Sequence, residues 1–257
     1  MNATENIKGV DVPKLGLGTY RLTGAECERA VETALGLGYR HIDTARMYGN
    51  EREVGRAIEA SGVAREEVFL VTKIWPDDFA RDRAPAAARD SLEKLGTDYI
   101  DLLLLHWPSR SVPVGETLGA LRELLEEGSV KHLGVSNFTP EGVREAEEHA
   151  EVFSNQVEYS PYHDQSAVLE QAREMDYLVT AYTPTGRGKV RRDATLGEIS
   201  AAHDATPTQV ALAWLVRQEK VAAIPKATSE EHLNENLAAL DLSLSEKEVQ
   251  RISALSR

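Results

Sequence analysis

Eight short apolar runs, each followed by a stretch with helical spacing, constrain this chain more than any other feature. The runs fall at 15–18, 39–43, 68–73, 100–106, 132–136, 154–158, 178–182 and 222–225. Helical patterns occupy 24–37, 50–61, 84–95, 116–127, 140–149 and 166–175, a longer interval at 195–218, and 230–239 after the last run. Strands alternating with helices in this way predict βαβ units and a parallel sheet. Eight rounds predict an α/β fold in which the sheet closes into a (β/α)8 TIM barrel. The residues before the first run read as a lead-in. Ser245 with Glu248 can cap an additional C-terminal helix carrying Val249, Ile252 and Leu255, set against the bottom or side of the barrel. No linker or low-complexity tract interrupts the chain, so residues 1–257 read as a single barrel domain.

Local chemistry marks several helix starts. Thr23 with Glu26 and Thr206 with Gln209 have capping-box spacing, Pro207 falls at the tolerated first helical position, and Thr139–Pro140 repeats that start. Leu118, Leu121 and Leu125 share a face suited to a barrel wall. Cys27, the one cysteine, shares a helical face with Ala30, Val31 and Ala34 and reads as a buried thiol. A lone cysteine excludes a disulfide framework and a thiolate zinc site. The 42 acidic and 29 basic residues give a formal net charge of −13. That field disfavours nucleic acid and anionic membrane and leaves a small molecule as the expected partner. With no long apolar run at its N-terminus, the chain is expected in the cytoplasm. The stretch 183–194, TPTGRGKVRRDA, reverses the sign of the charge locally. It reads as a solvated loop or as a clamp over a phosphorylated ligand.

Four reactive side chains sit at or just past the ends of apolar runs: Asp43 and Tyr48 in HIDTARMY, Lys73 in LVTKIW and His106 in DLLLLHWP. In a barrel, strand C-terminal ends share one rim. Tyr48 is the acid candidate, Lys73 can lower its pKa, and Asp43 can hold Lys73 charged while opposing part of that effect. His106 can direct a substrate oxygen. The set can protonate a carbonyl oxygen as hydride reaches the carbon, and because none of the four supplies hydride, a cofactor is required. Each residue also has a structural reading: a turn cap, a surface phenol, a plain ion pair, a satisfied core histidine. A metal site built on His41, Asp43 and His106 is the competing chemistry; His132 opens a run and His163 lies in a loop, so neither joins it readily. No metal is expected. The GLGLG at 34–38 is not a dinucleotide fingerprint.

The segments GLGTY, GYRHIDTARMYGNEREVG, VTKIW, DLLLLHWP, GVSNF, NQVEY and IPKATSEEHLNENL follow one another in the order found in the aldo-keto reductase superfamily, which the chain resembles from about Val12 to Leu240. Within it the chain resembles compact microbial members that reduce diketogulonate, methylglyoxal and other aldehydes. The resemblance implies carbonyl reduction by a nicotinamide cofactor, with Tyr48 as acid, Asp43 and Lys73 in support and His106 orienting the carbonyl. It implies that Ser136, Asn137 and Gln156 hold the carboxamide, that Tyr182 stacks on the nicotinamide, and that Lys226, Thr228, His232, Glu235 and Asn236 serve the adenosine end. Two positions depart from the pattern. Ala227 stands where a polar residue is common, and His232 stands where an arginine usually grips the 2′-phosphate. Arginine offers a permanent charge and a rigid fork that histidine lacks. NADPH is therefore expected, with NADH also accepted; Arg187, Arg191 or Arg192 can replace the lost charge. Tyr20, Trp75 and Trp107 are expected to wall the substrate mouth. A monomer is the expectation from the family, and a nicotinamide-sensing module without turnover is the alternative reading within the same fold.

Overall fold

The computed structural model describes residues 3–256; residues 1, 2 and 257 lie outside it. The chain opens with a hairpin of β1 (Thr4–Ile7) and β2 (Val10–Pro13), paired antiparallel. The barrel strands then follow: β3 (Leu17–Gly18), β4 (His41–Asp43), β5 (Phe69–Ile74), β6 (Ile100–Leu105), β7 (Val130–Ser136), β8 (Val152–Glu158), β9 (Leu178–Tyr182) and β10 (Val221–Ala223). They form one parallel sheet in sequence order. A parallel bridge between Leu15 and Ala223 joins its first and last edges, with Gly16 N donating to Ala223 O at 2.9 Å and Ala223 N donating to Lys14 O at 2.8 Å. Among the described residues, that bridge joins the two edges of the eight-stranded sheet into a ring.

Between the strands run α1 (Gly24–Gly36), α2 (Glu51–Ala60), α3 (Ala84–Leu95), α4 (Val114–Glu126), α5 (Pro140–Glu147) and α6 (Ser166–Met175). The interval expected at 195–218 is two helices, α7 (Ala194–Ala202) and α8 (Pro207–Val216), because Thr206 and Gln209 form the capping box and start a new helix at Pro207. Helix α9 (Glu230–Ala238) follows the last strand. The final helix, α10 (Glu246–Ser253), is capped by Ser245 and Glu248 as its spacing predicts. It packs on α7 and α8, at the side of the barrel. Thr139 caps α5 by accepting from Gly142 N, whereas Thr23 makes no side-chain cap bond to α1. The buried face of α4 is Leu118, Leu121 and Leu124, with Leu125 only half-buried. No helix among the described residues is long and apolar enough to cross a membrane.

Two apolar clusters build the core. The larger lies between the sheet and the helices and includes Leu70, Leu103, Leu105, Val135 and Val179 from the strands with Val31, Leu121 and Leu215 from the helices. Each such side chain contributes about 1.5–3 kcal/mol on burial. The smaller cluster fills the bore: Phe69, Val71, Leu102, Leu104, Phe153, Leu178 and Ala222, closed from below by Ile7 and Val12 of the hairpin. The lead-in is thus a plug at the N-terminal end of the strands. Cys27 is a buried thiol, pushed up to about 12 by burial and by Glu53 and Glu28.

Gly134 in β7 has no room for a side chain: a Cβ there meets Ser154 O at 2.6 Å and Leu104 Cδ2 at 2.7 Å. Gly119 in α4 faces open space. Gly134→Ala is expected to lose about 1–3 kcal/mol of stability. Gly119→Ala is expected to gain up to about 1 kcal/mol, as alanine is the better helix former. Denaturant unfolding of the two variants beside the parent checks both signs.

Candidate active site

The strand register sets the site. Asp43 ends β4, Lys73 is the penultimate residue of β5, His106 follows β6, and Ser136 and Tyr182 end β7 and β9. All five reach the C-terminal rim, opposite the hairpin. Lys73 Nζ lies 2.6 Å from Asp43 Oδ1, donates to Thr44 O at 2.8 Å and sits 3.5 Å from Tyr48 Oη. The Asp43 and Lys73 side chains are 2% and 0% exposed, so neither charge has water to fall back on. Burial acts against the Lys73 ammonium, but Asp43 and Tyr48 outweigh it and hold the group above the usual lysine value.

Tyr48 is carried on a 3-10 turn, Arg46–Tyr48, after β4. Arg46 anchors that turn to α3 through Ala87 O at 2.8 Å and through Asp90. Asn50 ties it to the preceding loop: it donates to Thr19 O at 3.0 Å and Leu22 O at 2.9 Å and accepts from Thr44 Oγ1 at 2.7 Å. The balance between Lys73 and Asp43 at the phenol is decided by burial. Burial pushes Tyr48 up, Lys73 pulls it down and Asp43 adds to the rise, and the net direction is upward. The phenol is therefore fully protonated in the ordinary pH range, and Lys73 is placed to stabilise the tyrosinate left after donation.

The His106 ring lies edge-on to Tyr48, with centroids 5.8 Å apart, and edge-on to Trp75 at 5.1 Å. Tyr20 tilts against Tyr48 at 5.0 Å. Tyr20 and Trp107 are 48% and 44% exposed and stand at the mouth. His41, by contrast, is buried in the bore with Nδ1 3.2 Å from Pro13 O, and its ring meets Phe69. His132 stacks on Phe153. Both are packing residues of the barrel interior.

From this rim a cleft of about 750 Å³ runs toward α9. Its lining includes Asp43, Tyr48, Trp75, His106 and Trp107 at one end, then Ser136, Asn137, Gln156 and Tyr182, and finally Lys226, His232, Glu235 and Asn236. Thr228 is exposed and does not line the cleft. Ser136 Oγ donates to Gln156 O at 2.9 Å, and Asn137 Nδ2 donates to His106 O at 3.2 Å. Asn137 Oδ1 accepts from Tyr182 Oη at 2.8 Å. Asn137 holds a left-handed backbone, φ 64°, which asparagine tolerates better than most residues. The stretch expected as a loop or clamp folds into 3-10 turns at Gly186–Arg192 with Val190 buried. Arg187, Gly188 and Arg191 line the cleft, and Lys189 instead lies over the Tyr162 ring. Arg21, Met47 and Thr208 also line it. No residue-type signal in the sequence distinguished these three from ordinary loop and helix positions.

This donor set suits a nicotinamide dinucleotide. Amide and hydroxyl groups that both give and accept hydrogen bonds form one wall, an aromatic ring stands beside them, and cations stand at the distal end. An acid, a charged lysine and a neutral imidazole around one end, continuous with such a groove, define a barrel oxidoreductase. The chain matches the Aldo/keto reductase family over residues 14–257 and belongs to it. It is 41% identical over 249 residues to the methylglyoxal reductase DkgB of Escherichia coli O157:H7, spanning 95% of this chain and 93% of that protein. It is 40% identical over 253 residues to the 9,11-endoperoxide prostaglandin H2 reductase of Trypanosoma cruzi (strain CL Brener), spanning 96% and 89%. The crystal structure of an aldo/keto reductase from Brucella melitensis superposes with a TM-score of 0.93 at 36% identity, covering 99% of this chain and 98% of that one. The protein is an NAD(P)H-dependent carbonyl reductase of this family.

Burial, aided by Lys73, holds the His106 imidazole down at about 3. An unfolded histidine titrates near pH 6.5. Between these values the unfolded chain binds a proton that the folded chain refuses, so stability falls as the pH drops below about 6.5 and the penalty stops growing near 3. From pH 7 to pH 5, His106→Gln is expected to lose about 2 kcal/mol less stability than the parent. Denaturant titrations at the two pH values measure this; parallel slopes for both proteins would contradict a neutral, buried His106.

Proposed function

We propose that Tyr48 is the proton donor in reduction of small aldehydes and ketones, with Lys73 and Asp43 supporting it and His106 directing the carbonyl oxygen. One observation carries this reading: the Lys73 ammonium bridges a buried carboxylate at 2.6 Å and the phenol at 3.5 Å. A neutral His106 donates to the carbonyl oxygen without competing for the proton. Tyr48 then protonates that oxygen, and Lys73 stabilises the tyrosinate. The nicotinamide supplies the hydride when bound. Ser136, Asn137 and Gln156 would hold its carboxamide, Tyr182 would stand beside the ring, and Lys226, His232, Glu235 and Asn236 would take the adenosine end. Tyr20, Trp75 and Trp107 give the substrate an apolar wall suited to small carbonyls. Methylglyoxal, named for the Escherichia coli relative, is of this class. Residues 1–257 are taken to act as one barrel domain and as a monomer in the cytoplasm. The net charge of −13 supports a small-molecule partner over nucleic acid.

Reduction is assayed by loss of reduced-nicotinamide absorbance with simple aldehydes. Tyr48→Phe is expected to lower kcat by at least about 100-fold, the lower end of what a general acid contributes. Equal turnover in parent and variant would remove Tyr48 from the role. Tight nucleotide binding by the parent with no turnover across diverse carbonyls would favour a sensing module instead.

NADPH is proposed as the preferred cofactor, with NADH also accepted. Lys226, Arg187 and Arg191 supply positive charge along the cleft, while His232 replaces the fixed fork of an arginine. His232→Arg is expected to tighten NADPH by roughly tenfold relative to NADH, about 1.4 kcal/mol. Quenching of tryptophan fluorescence reads both affinities without substrate. An unchanged ratio would show that His232 does not meet the 2′-phosphate.

A further inference from the structure

The strongest unexplained contact in the site crosses the barrel. Gln156 on β8 donates from Nε2 to Asp43 Oδ2 on β4 at 2.8 Å, and both side chains are buried. Strands β4 and β8 are separated by three others in the ring, so the bond spans the bore. A carboxylate only accepts, so the amide must turn its NH2 toward Asp43. Its second N–H and its carbonyl remain for other duties. The Asp43 carboxylate thus has one partner on each oxygen: Lys73 at 2.6 Å on Oδ1 and Gln156 on Oδ2. The main chain of Gln156 also accepts from Ser136 Oγ and Asn137 N, both at 2.9 Å. A single network therefore runs from Tyr182 through Asn137, Gln156, Asp43 and Lys73 to Tyr48.

We propose that Gln156 is a positioning residue for proton delivery: its amide fixes the Asp43 carboxylate so that Lys73 stays charged and aimed at Tyr48. This is a role beyond any contact Gln156 makes to a carboxamide, and it rests on Tyr48 being the acid. The physical reason is that Asp43 is dry. A buried carboxylate that loses one of two donors either takes up a proton or rotates toward its remaining partner. Either response changes the field at Lys73 and, through it, at Tyr48. The charged or titratable groups that face Asp43 are Lys73 from β5, Tyr48 from the turn after β4 and His41 from its own strand; His106 faces Lys73 from the end of β6.

Two variants separate positioning from simple cofactor contact. Gln156→Leu removes the donor at every pH. Gln156→Glu keeps the shape and can share a proton with Asp43 in acid, but it becomes a second buried carboxylate as the pH rises. At saturating nucleotide, Gln156→Leu is expected to lower kcat by about tenfold throughout. The kcat deficit of Gln156→Glu is expected to grow at least tenfold from pH 5 to pH 8. If both variants only weaken nucleotide binding, with parental kcat profiles across pH, the proposal is overturned while Tyr48 keeps its role. If Tyr48→Phe turns over like the parent, the acid assignment fails first and this proposal with it.

Discussion

The buried pair of Asp43 and Lys73 is the constraint around which the rim is organised. Removing two charges from water is costly, and such a pair is tolerated only when geometry and further hydrogen bonds satisfy both groups. Here the partners come from separate parts of the ring: Asp43 from β4, Lys73 from β5 and Gln156 from β8, with the carbonyl of Thr44 accepting from Lys73. The Asp43–Lys73 contact joins neighbouring strands, whereas the Gln156 bond reaches Asp43 from the opposite side of the ring. The second donor to the Asp43 carboxylate is therefore in place only when the sheet curls into the ring that Leu15 and Ala223 close. The apolar bore beneath, sealed by Ile7 and Val12, keeps water away from it.

The same dryness sets the protonation states around the pair. It keeps Tyr48 loaded with its proton and His106 without one, while Lys73 stays charged because its counter-ion lies within hydrogen-bond reach. One environment thus yields a neutral acid, a neutral donor and a fixed cation within one short arc of the rim. Surface copies of these residues would be screened by solvent and would titrate near their ordinary values.

The strands were legible because parallel strands buried on both faces read as unbroken apolar runs. Where their ends shifted it was by one or two residues, since the register with neighbours decides where pairing stops; β7 begins at Val130 where the apolar run suggested 132, while β9 matches its run at both ends. The N-terminal hairpin escaped notice because Thr4–Ile7 and Val10–Pro13 are too short and too mixed to show a period. Thr23 has the right spacing for a capping box, yet its side chain makes no cap bond; spacing permits a cap and the backbone geometry decides it. Asp43, Tyr48, Lys73 and His106 stood out because reactive types at the ends of apolar runs are uncommon. The Gln156–Asp43 bond joins residues 113 apart in sequence, and nothing local to either position announces it. The rise in the Tyr48 pKa was equally hidden, because burial is a property of the assembled rim.

The C-terminal helix gives the cleft a distant dependence. Helix α10 is fastened by His203 to Glu248 at 2.8 Å, by Trp214 Nε1 to Ser253 Oγ at 3.0 Å and by Arg251 to Glu198. Those anchors lie on α7, α8 and the residue just after α7, and the same two helices pack against the Gly186–Arg192 turn that brings Arg187 and Arg191 to the cleft. Tail and turn thus pack against the same two helices, α7 and α8. Through them helix α10 braces the turn that carries two of the cleft's arginines, while none of its own residues lines the groove.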